Sequence, residues 1–308
     1  MEEKNYIKGL VSVITPTYRR SETLTRAIES VLNQTYGQLE LLVVNDNNPD
    51  DEFTKYVKEV TEKYQKDKRF RLIIQEKHIN GAVARNVAIR EAKGEFVAFL
   101  DDDDWWEENK LEEQINVLTS LDSSWGGVSC LFRFYDSDGK LIGKTKKYED
   151  GNIYKDILSL YTDVATSTLL LRRTALDQAG YFDEKLLRNQ DIQLLAQFTY
   201  KFKLKLVNQY LHCVDVSDAQ NRMVDEEKYL KIRKDLYNSI KPIILSLSTS
   251  ELSKINALRD LELGYILLKN KKYTRGFKYI LSVFNSPGSF VLAVKKLKRR
   301  LDMTRHLE

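Results

Sequence analysis

Strand and helix signals alternate along the first hundred residues, and this alternation constrains the fold more than any other feature of the sequence. Short apolar runs predict four strands, at Val11–Thr15, Leu39–Val44, Arg71–Gln75 and Glu95–Leu100. Segments with helical spacing or with many small residues separate them. Strands that alternate with helices form a mostly parallel sheet with helices on both faces. We therefore predict an α/β fold.

The rest of the chain divides into a mixed part and a helical part. Helices are predicted around residues 108–120 and 190–202, and strands at Val128–Phe134, Ser167–Leu171 and around 204–210. Residues 136–165 hold turn signals and little periodicity. Beyond residue 225 the pattern is helical only. We expect one α/β domain over residues 1–220 and a helical region over residues 221–308.

Ligands in open α/β sheets bind at the carboxyl ends of the strands. That rule selects Thr15–Tyr18, Asn45–Asn48, the loop at 76–81 and Asp101–Asp104. Pro16 is expected to end the first strand, because proline cannot donate to a sheet ladder. Ser21 is the expected cap of the helix that follows.

The segment FVAFLDDDDWW, residues 96–106, places four carboxylates directly after a buried strand. Adjacent carboxylates repel one another, so a cation is expected to offset them. Side chains two residues apart in an extended chain point the same way, so Asp101 and Asp103 can grip one Mg²⁺ or Mn²⁺ ion. The alternative is a solvated acidic turn that caps the helix after Trp106.

Composition narrows the setting. The chain of 308 residues is 42% hydrophobic and 31% charged, enough for a large core. Its two cysteines, Cys130 and Cys213, imply no disulfide framework and fit a reducing cytosol. We expect a cytoplasmic protein, because the N-terminus resembles no signal peptide and no apolar run reaches the length of a membrane span.

Charge is distributed unevenly. Residues 221–308 hold 19 Lys and Arg against 9 Asp and Glu, whereas residues 1–220 hold 30 against 36. The segment Phe290–Arg300 alternates apolar residues with a basic cluster in a predicted helix. Such a helix can lie on an anionic membrane surface, here the inner face of the plasma membrane. The alternatives are a solvated tail or a helix docked on a neighbouring subunit of a homo-oligomer.

Five segments, in chain order, resemble glycosyltransferase family 2: VSVITPTYRR, AIESVLNQTY, ELLVVNDNNPD, GAVARNVAIREAKGEFVAFLDDDDWW and GYFDEKLLRNQDIQLL. The resemblance covers about residues 10–215. It implies the GT-A fold, which is Rossmann-like, with nucleotide-sugar binding in 1–104, the acceptor side in 105–220 and a C-terminal helical appendage. It also implies an inverting transferase that depends on a nucleotide sugar.

On this resemblance the donor contacts fall on the first two strand ends. Tyr18 would stack on a nucleobase, with Thr15 and Pro16 shaping its loop. Asp46 would accept from uracil or from a ribose hydroxyl. The family usually has two aspartates and a glycine where this chain reads Asn45-Asp46-Asn47. A turn tyrosine and an Asx-type turn are the structural alternatives.

The third helix and the acidic segment complete the implied donor site. Asn80 and Arg85 flank a helix start, which favours phosphate or sugar hydroxyls, although Arg85 would equally well neutralise the aspartates. Asp101 to Asp103 match the family's DXD motif. Asp103 would hold Mn²⁺ or Mg²⁺ with Asp101 sharing it, and Asp101 and Asp102 would contact the donor.

Asp191 is the implied general base, which takes the proton from the acceptor hydroxyl. The family has Glu-Asp where this chain has Gln190-Asp191. The structural alternative is a carboxylate favoured by the dipole of a helix start.

We expect a metal-dependent inverting glycosyltransferase that uses a UDP-sugar, a UDP-hexose or UDP-N-acetylhexosamine, and a glycan or lipid-linked glycan acceptor in cell-surface polysaccharide synthesis. No nucleic-acid partner is expected. One alternative is a degenerate, polymer-binding scaffold, which the Asn45 and Gln190 departures favour. A second is a nucleotidyltransferase, although the segment VITPTYRR lacks the glycine-rich loop that grips a triphosphate.

Overall fold

Nine strands form one sheet in the computed structural model, which describes residues 6–19, 22–217, 225–286 and 288–305. They are β1 (Ile7–Thr17), β2 (Leu39–Asn45), β3 (Phe70–Ile74), β4 (Gly94–Phe99), β5 (Trp105–Trp106), β6 (Trp125–Tyr135), β7 (Leu141–Lys144), β8 (Leu170–Arg172) and β9 (Lys203–Asp215). The order is β3-β2-β1-β4-β8-β6-β9-β5, and β7 pairs with β6. The predicted α/β class is confirmed.

Helices flank the sheet and form the C-terminal region. They are α1 (Leu24–Leu32), α2 (Glu52–Thr61), α3 (Gly81–Glu91), α4 (Lys110–Thr119), α5 (Tyr154–Leu158), α6 (Arg173–Ala179), α7 (Gln190–Lys201), α8 (Glu226–Ser239), α9 (Lys241–Ser246), α10 (Thr249–Lys269), α11 (Tyr273–Leu281) and α12 (Ser289–Arg305). The structure therefore confirms the predicted helices of both regions. The proposed cap of α1, Ser21, lies outside the described residues.

The strands β1 to β4 pair in parallel, and β8 joins the edge of β4 in the antiparallel sense. Strand β1 continues past Pro16, which pairs with Val44, so the expectation that proline ends the strand is wrong. Proline loses only a donor, and its fixed φ suits an extended chain. The carbonyl of Thr17 still accepts from the amide of Asp46 at 2.9 Å.

Both faces of the parallel half are covered. Every residue of β2 is buried, with Leu42 and Val44 in one apolar cluster and Leu41 and Val43 in another on the opposite face. Strands that are buried on both faces read as continuous apolar runs. That is why the strands of the first hundred residues are visible in the sequence, whereas β9 extends beyond its predicted range of 204–210.

The C-terminal helices pack onto the sheet domain. Leu236 of α8, Ile243 of α9 and Ile255 of α10 belong to the same apolar cluster as Ile157 and Leu194. The buried Arg259 donates to the carbonyl of Leu158 at 2.9 Å. Within the described ranges, no helix is both long and apolar enough to span a bilayer. The boundary at residue 220 stays a prediction.

Candidate active site

The carboxyl ends of β1, β2 and β4 meet the start of α3 around a cavity of about 280 Å³. Its lining residues are Pro16, Thr17, Tyr18, Asp46, His78, Gly81, Arg85, Asp101, Asp102 and Asp103. The structure thus brings together the strand-end residues that the sequence selected. We call this space the donor cavity.

Asp46 forms the floor of the donor cavity at the end of β2. It is buried and accepts from Gln75 Nε2 at 2.5 Å and from the amide of Ile79 at 3.2 Å. Its Oδ2 lies 3.0 Å from His78 Nδ1. Burial raises the pKa of the Asp46 carboxyl, and the hydrogen bonds and His78 oppose that rise.

Tyr18 stacks on His78 with ring centroids 3.8 Å apart and an interplanar angle of 14°. The Tyr18 ring is also partly exposed at the mouth of the cavity. Sequence reasoning selected the 76–81 loop but did not single out His78. It also selected the range Thr15–Tyr18 but gave no role to Thr17, whose buried hydroxyl lines the cavity and has no hydrogen-bond partner among the described residues.

The amide at position 45 is used as a donor. Asn45 Nδ2 donates to Thr54 Oγ1 at 2.7 Å, and Asn45 Oδ1 accepts from Asn47 Nδ2 at 2.6 Å. Asn47 Oδ1 in turn accepts from the amide of Arg19 at 2.9 Å. An ionised aspartate cannot donate, so asparagine fits this network better than the family's usual residue.

The four consecutive aspartates lie in two different environments. Asp101, Asp102 and Asp103 line the donor cavity, whereas Asp104 turns into the core and lies 3.2 Å from His212. Burial raises the pKa of the Asp104 carboxyl, and the nearby His212 opposes that rise. The charge of Asp101 adds to the rise, so part of the repulsion that the sequence suggested persists.

Two arginines hold the acidic segment. Arg85 Nη2 donates to Asp101 Oδ1 at 2.5 Å. Arg26 Nη2 donates to the carbonyl of Asp103 at 2.7 Å and pairs with Asp215 at 2.8 Å. Arg26 also lies over the ring of Trp105, 4.0 Å from its centroid. Sequence reasoning missed Arg26, because nothing local marks a contact between residues so far apart in the chain.

The segment suits a divalent ion that is shared with a substrate. Among the described residues, no group of three His, Cys, Asp or Glu side chains could hold a metal alone. Mg²⁺ sites, however, commonly use one or two carboxylates and take their remaining ligands from water and substrate phosphates. The carboxylates of Asp101 and Asp103 at the donor cavity fit that pattern.

Asn80 has a structural role at the start of α3. Its Oδ1 accepts from the amides of Ala82 and Val83, and its Nδ2 donates to the carbonyl of Glu184 at 3.0 Å. The side chain is absent from the lining of the donor cavity, as is that of the buried Thr15. Their predicted contacts with a donor stay predictions.

Asp191 lies in the first turn of α7 and lines a second, larger cavity of about 350 Å³. Asp191 is an exposed residue, so solvent and ligands can reach it. The protein atoms around its carboxyl raise its pKa. The charge of Arg85 opposes that rise and the charge of Asp101 adds to it. The neighbouring Gln190 reaches the donor cavity, where its Oε1 would lie 3.8 Å from a Cβ at Gly81.

Gln190 supports the loop before α7. Its Nε2 donates to the carbonyl of Leu186 at 2.5 Å and lies 3.5 Å from Asn80 Oδ1. Asn189 adopts a left-handed conformation with φ of 59° at the start of the helix. Gln190 thereby links the first turn of α7, which carries Asp191, to the start of α3.

One tryptophan and one histidine after the acidic segment are structural. Trp106 is buried, and its Nε1 donates to the carbonyl of Ser167 at 2.9 Å. His212 is fully buried against Asp104 and does not line the donor cavity. Both residues therefore belong to the core that supports the acidic segment.

The mixed sheet with flanking helices has the GT-A type of fold. The structure superposes on that of Staphylococcus aureus TarS 1-349 in complex with UDP-GlcNAc with a TM-score of 0.61, covering 97% of this chain and 90% of that one at 18% identity. A mannosyltransferase from Pyrobaculum calidifontis in complex with GDP-Man and Mn²⁺ gives a TM-score of 0.51, covering 93% and 86% at 16% identity. At these identities the likeness shows the fold alone.

Residues 12–179 match the family described as glycosyl transferase family 2, and the chain belongs to that family. An uncharacterised glycosyltransferase of Rickettsia felis is 30% identical over 279 residues, which are 90% of this chain and 44% of the relative. The Escherichia coli UDP-Glc:alpha-D-GlcNAc-diphosphoundecaprenol beta-1,3-glucosyltransferase WfgD is 36% identical over 137 residues, 44% of this chain and 50% of that protein. The chain thus spans half or less of the length of these relatives.

Proposed function

We propose that this chain transfers a sugar from a UDP-sugar to a hydroxyl of a glycan or lipid-linked glycan, with inversion, in the synthesis of a bacterial surface polysaccharide. One observation carries the proposal. Asp191, the proposed general base, lines one cavity, and the adjacent Gln190 reaches Gly81 in the lining of the donor cavity. A base between a donor and an acceptor requires this arrangement.

The donor cavity has the groups that a nucleoside diphosphate needs. Tyr18 offers an aromatic face for the base, and stacking of this kind contributes roughly 1–3 kcal/mol. Asp46 lies beside it as an acceptor for a base N–H or a ribose hydroxyl. Arg85, on the first turns of α3, offers a guanidinium to the diphosphate. The E. coli relative is named for a UDP-Glc donor, which supports uracil as the base.

Asp101 and Asp103 would hold a Mn²⁺ or Mg²⁺ ion, which when bound stabilises the negative charge of the departing diphosphate. Asp102 would contact the donor sugar or the ribose. Arg26 of α1 holds the backbone of Asp103. Arg85 of α3 holds the carboxylate of Asp101, so the two proposed ligand residues are positioned by different helices.

Asp191 is the proposed proton acceptor of the transfer step. The acceptor hydroxyl gives its proton to an Asp191 oxygen while the hydroxyl oxygen forms a bond to the anomeric carbon. The bond from that carbon to the diphosphate breaks on the opposite face, and the diphosphate leaves with the electron pair. Configuration at the anomeric carbon is inverted. The raised pKa of Asp191 makes the carboxylate a better proton acceptor than an ordinary aspartate.

An anionic membrane surface is the proposed partner of the C-terminal helices. Exposed apolar side chains on and between α11 and α12 form what we call the C-terminal apolar face: Tyr273, Phe277, Leu281, Phe284, Phe290, Val291, Val294 and Leu297. Phe284, in the segment between the two helices, stacks on Phe290 of α12 with ring centroids 5.1 Å apart. Exposed basic residues border it, namely Lys271, Lys272, Arg275, Lys278, Lys295 and Lys298.

An apolar face with a basic border is the pattern of a helix that lies in a bilayer interface, where each basic residue contributes about 1 kcal/mol near anionic lipids. The structure also refines the sequence-based view of Phe290–Arg300. Two of its basic residues, Lys296 and Arg299, turn toward the protein instead of the surface. The name of the E. coli relative, which acts on a diphosphoundecaprenol-linked sugar, supports a membrane setting.

The deciding experiment measures UDP release from a panel of UDP-sugars, and UDP binding by calorimetry, each with and without Mn²⁺. We expect Mn²⁺ to strengthen UDP binding and Asp103→Asn to remove that gain, whereas Asp138→Asn, in an exposed turn, should leave it intact. A scaffold would show neither metal-dependent donor binding nor turnover. Consumption of a nucleoside triphosphate with release of pyrophosphate would favour the nucleotidyltransferase alternative.

A further inference from the structure

The larger cavity has walls from two parts of the chain. The sheet domain contributes Asp191 and Ile192 of α7, residues 160–165, and Phe132 and Phe134 of β6. The C-terminal helices contribute Glu262 of α10 and Lys296 and Arg299 of α12. Its volume of about 350 Å³ is at the lower end of the range for small-molecule pockets. The cavity therefore suits a ligand of one or two sugar rings.

The wall from α12 is firmly built. Lys296 is buried, and its Nζ donates to the carbonyls of Ser159 at 3.0 Å and Leu258 at 3.3 Å. Arg299 donates to the carbonyls of Lys147 at 2.9 Å and Lys146 at 2.6 Å. These bonds join α12 to segments far away in sequence, so the helix is part of the cavity and not a loose tail.

The charges of the lining select against an anion. Lys296 lies 3.7 Å from Glu262, and Arg299 lies 3.3 Å from Asp163. Asp191 adds a further carboxylate. The lining residues that the structure describes thus include three carboxylates and two cations. A phosphate or carboxylate ligand would therefore meet no excess positive charge.

The remaining chemistry suits a neutral sugar. The aromatic rings of Phe132, Phe134 and Tyr161 offer apolar surface for the C–H face of a pyranose. The carboxylates of Asp163 and Glu262 accept hydrogen bonds from hydroxyl groups, and the Thr162 hydroxyl can donate or accept. Asp191, at the edge of the same space, can take the proton of whichever hydroxyl reacts.

We propose that this cavity is the acceptor subsite, that α10 and α12 complete it, and that it takes an uncharged sugar residue. This inference rests on the proposed function, because it identifies the ligand beside the proposed base. It assigns the C-terminal helices a direct part in acceptor recognition, in addition to any contact with a membrane.

The test measures direct ligand binding, so that it does not depend on turnover. The probes are neutral p-nitrophenyl glycosides of glucose, galactose, mannose, N-acetylglucosamine and N-acetylgalactosamine, with p-nitrophenyl glucuronide and glucose 1-phosphate as anionic counterparts. Binding is followed by saturation-transfer NMR and competition titration on the full chain. UDP binding is measured separately on the same samples.

Two variants probe opposite walls of the cavity. Glu262→Gln keeps the shape of the side chain and removes its charge, and Phe134→Leu removes an aromatic face while keeping apolar volume. Each should weaken binding of a neutral glycoside about tenfold, since one well-placed hydrogen bond or aromatic contact has about that effect. Glu59→Gln on the exposed surface of α2 and Phe284→Leu on the C-terminal apolar face are the matched controls.

The expected result is binding of at least one neutral glycoside, weakened by both cavity variants and by neither control, with UDP affinity unchanged. The proposal is overturned if no neutral glycoside binds, if both cavity variants bind as the unaltered chain does, or if the anionic probes bind more tightly. Failure of the unaltered chain to bind UDP would count against the proposed function alone.

Discussion

Arg85 Nη2 donates to Asp101 Oδ1 at 2.5 Å, across the entrance to the donor cavity. The guanidinium therefore neutralises part of the acidic segment and faces the space proposed for the diphosphate. Gly81 leaves room for this guanidinium, because a Cβ there would come within 2.9 Å of Arg85 Nη1 and the end of the side chain would have to shift. The two roles that the sequence left open for Arg85 are compatible in one geometry.

Arg85→Ala should weaken UDP binding at least tenfold and uridine binding little, since charge-assisted hydrogen bonds to charged groups are worth about 1.5–3 kcal/mol. Calorimetry with UDP and uridine measures both. Arg90→Ala, on the exposed side of the same helix, is the control. Equal losses for UDP and uridine would mean that Arg85 only supports the local structure.

Tyr18→Ala should weaken UDP binding about tenfold or more, because the base loses its stacking surface. Tyr18→Phe should bind UDP almost normally, since the ring is retained. His78→Ala removes the ring that stacks under Tyr18, so we expect a smaller loss from a less ordered Tyr18. Titration by calorimetry compares the three, and normal affinity of Tyr18→Ala would exclude stacking.

Asp191→Asn should lower turnover by a hundredfold or more, the typical contribution of a general base, while UDP affinity stays unchanged. The raised pKa of Asp191 also predicts a pH dependence. The carboxylate must be unprotonated to act, so turnover should fall as pH drops through that pKa. The acid limb should lie at higher pH than for an ordinary aspartate, and should be absent in Asp191→Asn. Near-normal turnover of the variant would remove Asp191 from the mechanism.

Gly264→Ala should lower the free energy of unfolding by about 1–2 kcal/mol, the cost of overpacking less the gain in helix propensity. A Cβ at Gly264 would lie 2.8 Å from Ile280 Cγ1 and 2.9 Å from the carbonyl of Gly276, where α10 and α11 cross. Gly37→Ala is the control, because nothing lies within 4 Å of its added Cβ. Denaturant titration gives both values, and equal stability of the two variants would show that the crossing tolerates a methyl group.

Phe277→Ser with Phe290→Ser should weaken sedimentation with anionic liposomes several-fold and leave UDP binding intact, because both rings are exposed on the C-terminal apolar face. Ile74→Ser, an exposed apolar residue on β3, is the control. Deletion of α12 is a poor test, since Ala293 and Lys296 are buried. Unchanged sedimentation, or equal binding to neutral liposomes, would exclude an anionic membrane as the partner.

The alternating strands and helices, the fully buried β2 and the acids that follow β4 can all be predicted from the sequence. These features are local: the spacing of apolar residues fixes which faces are buried, and a strand end fixes where Asp46 and Asp101 lie. The resemblance to a family added the position of Asp191.

The contacts between side chains of distant segments are visible only in the folded structure. Three contacts join segments far apart in the chain: Tyr18 stacks on His78, Arg26 donates to the carbonyl of Asp103, and Asp104 is buried against His212. The same is true of Lys296 and Arg299, whose basic pattern predicted a membrane contact but whose side chains face the cavity of Asp191. Local spacing specifies how each segment folds, whereas the packing of many segments at once sets the partners of a side chain.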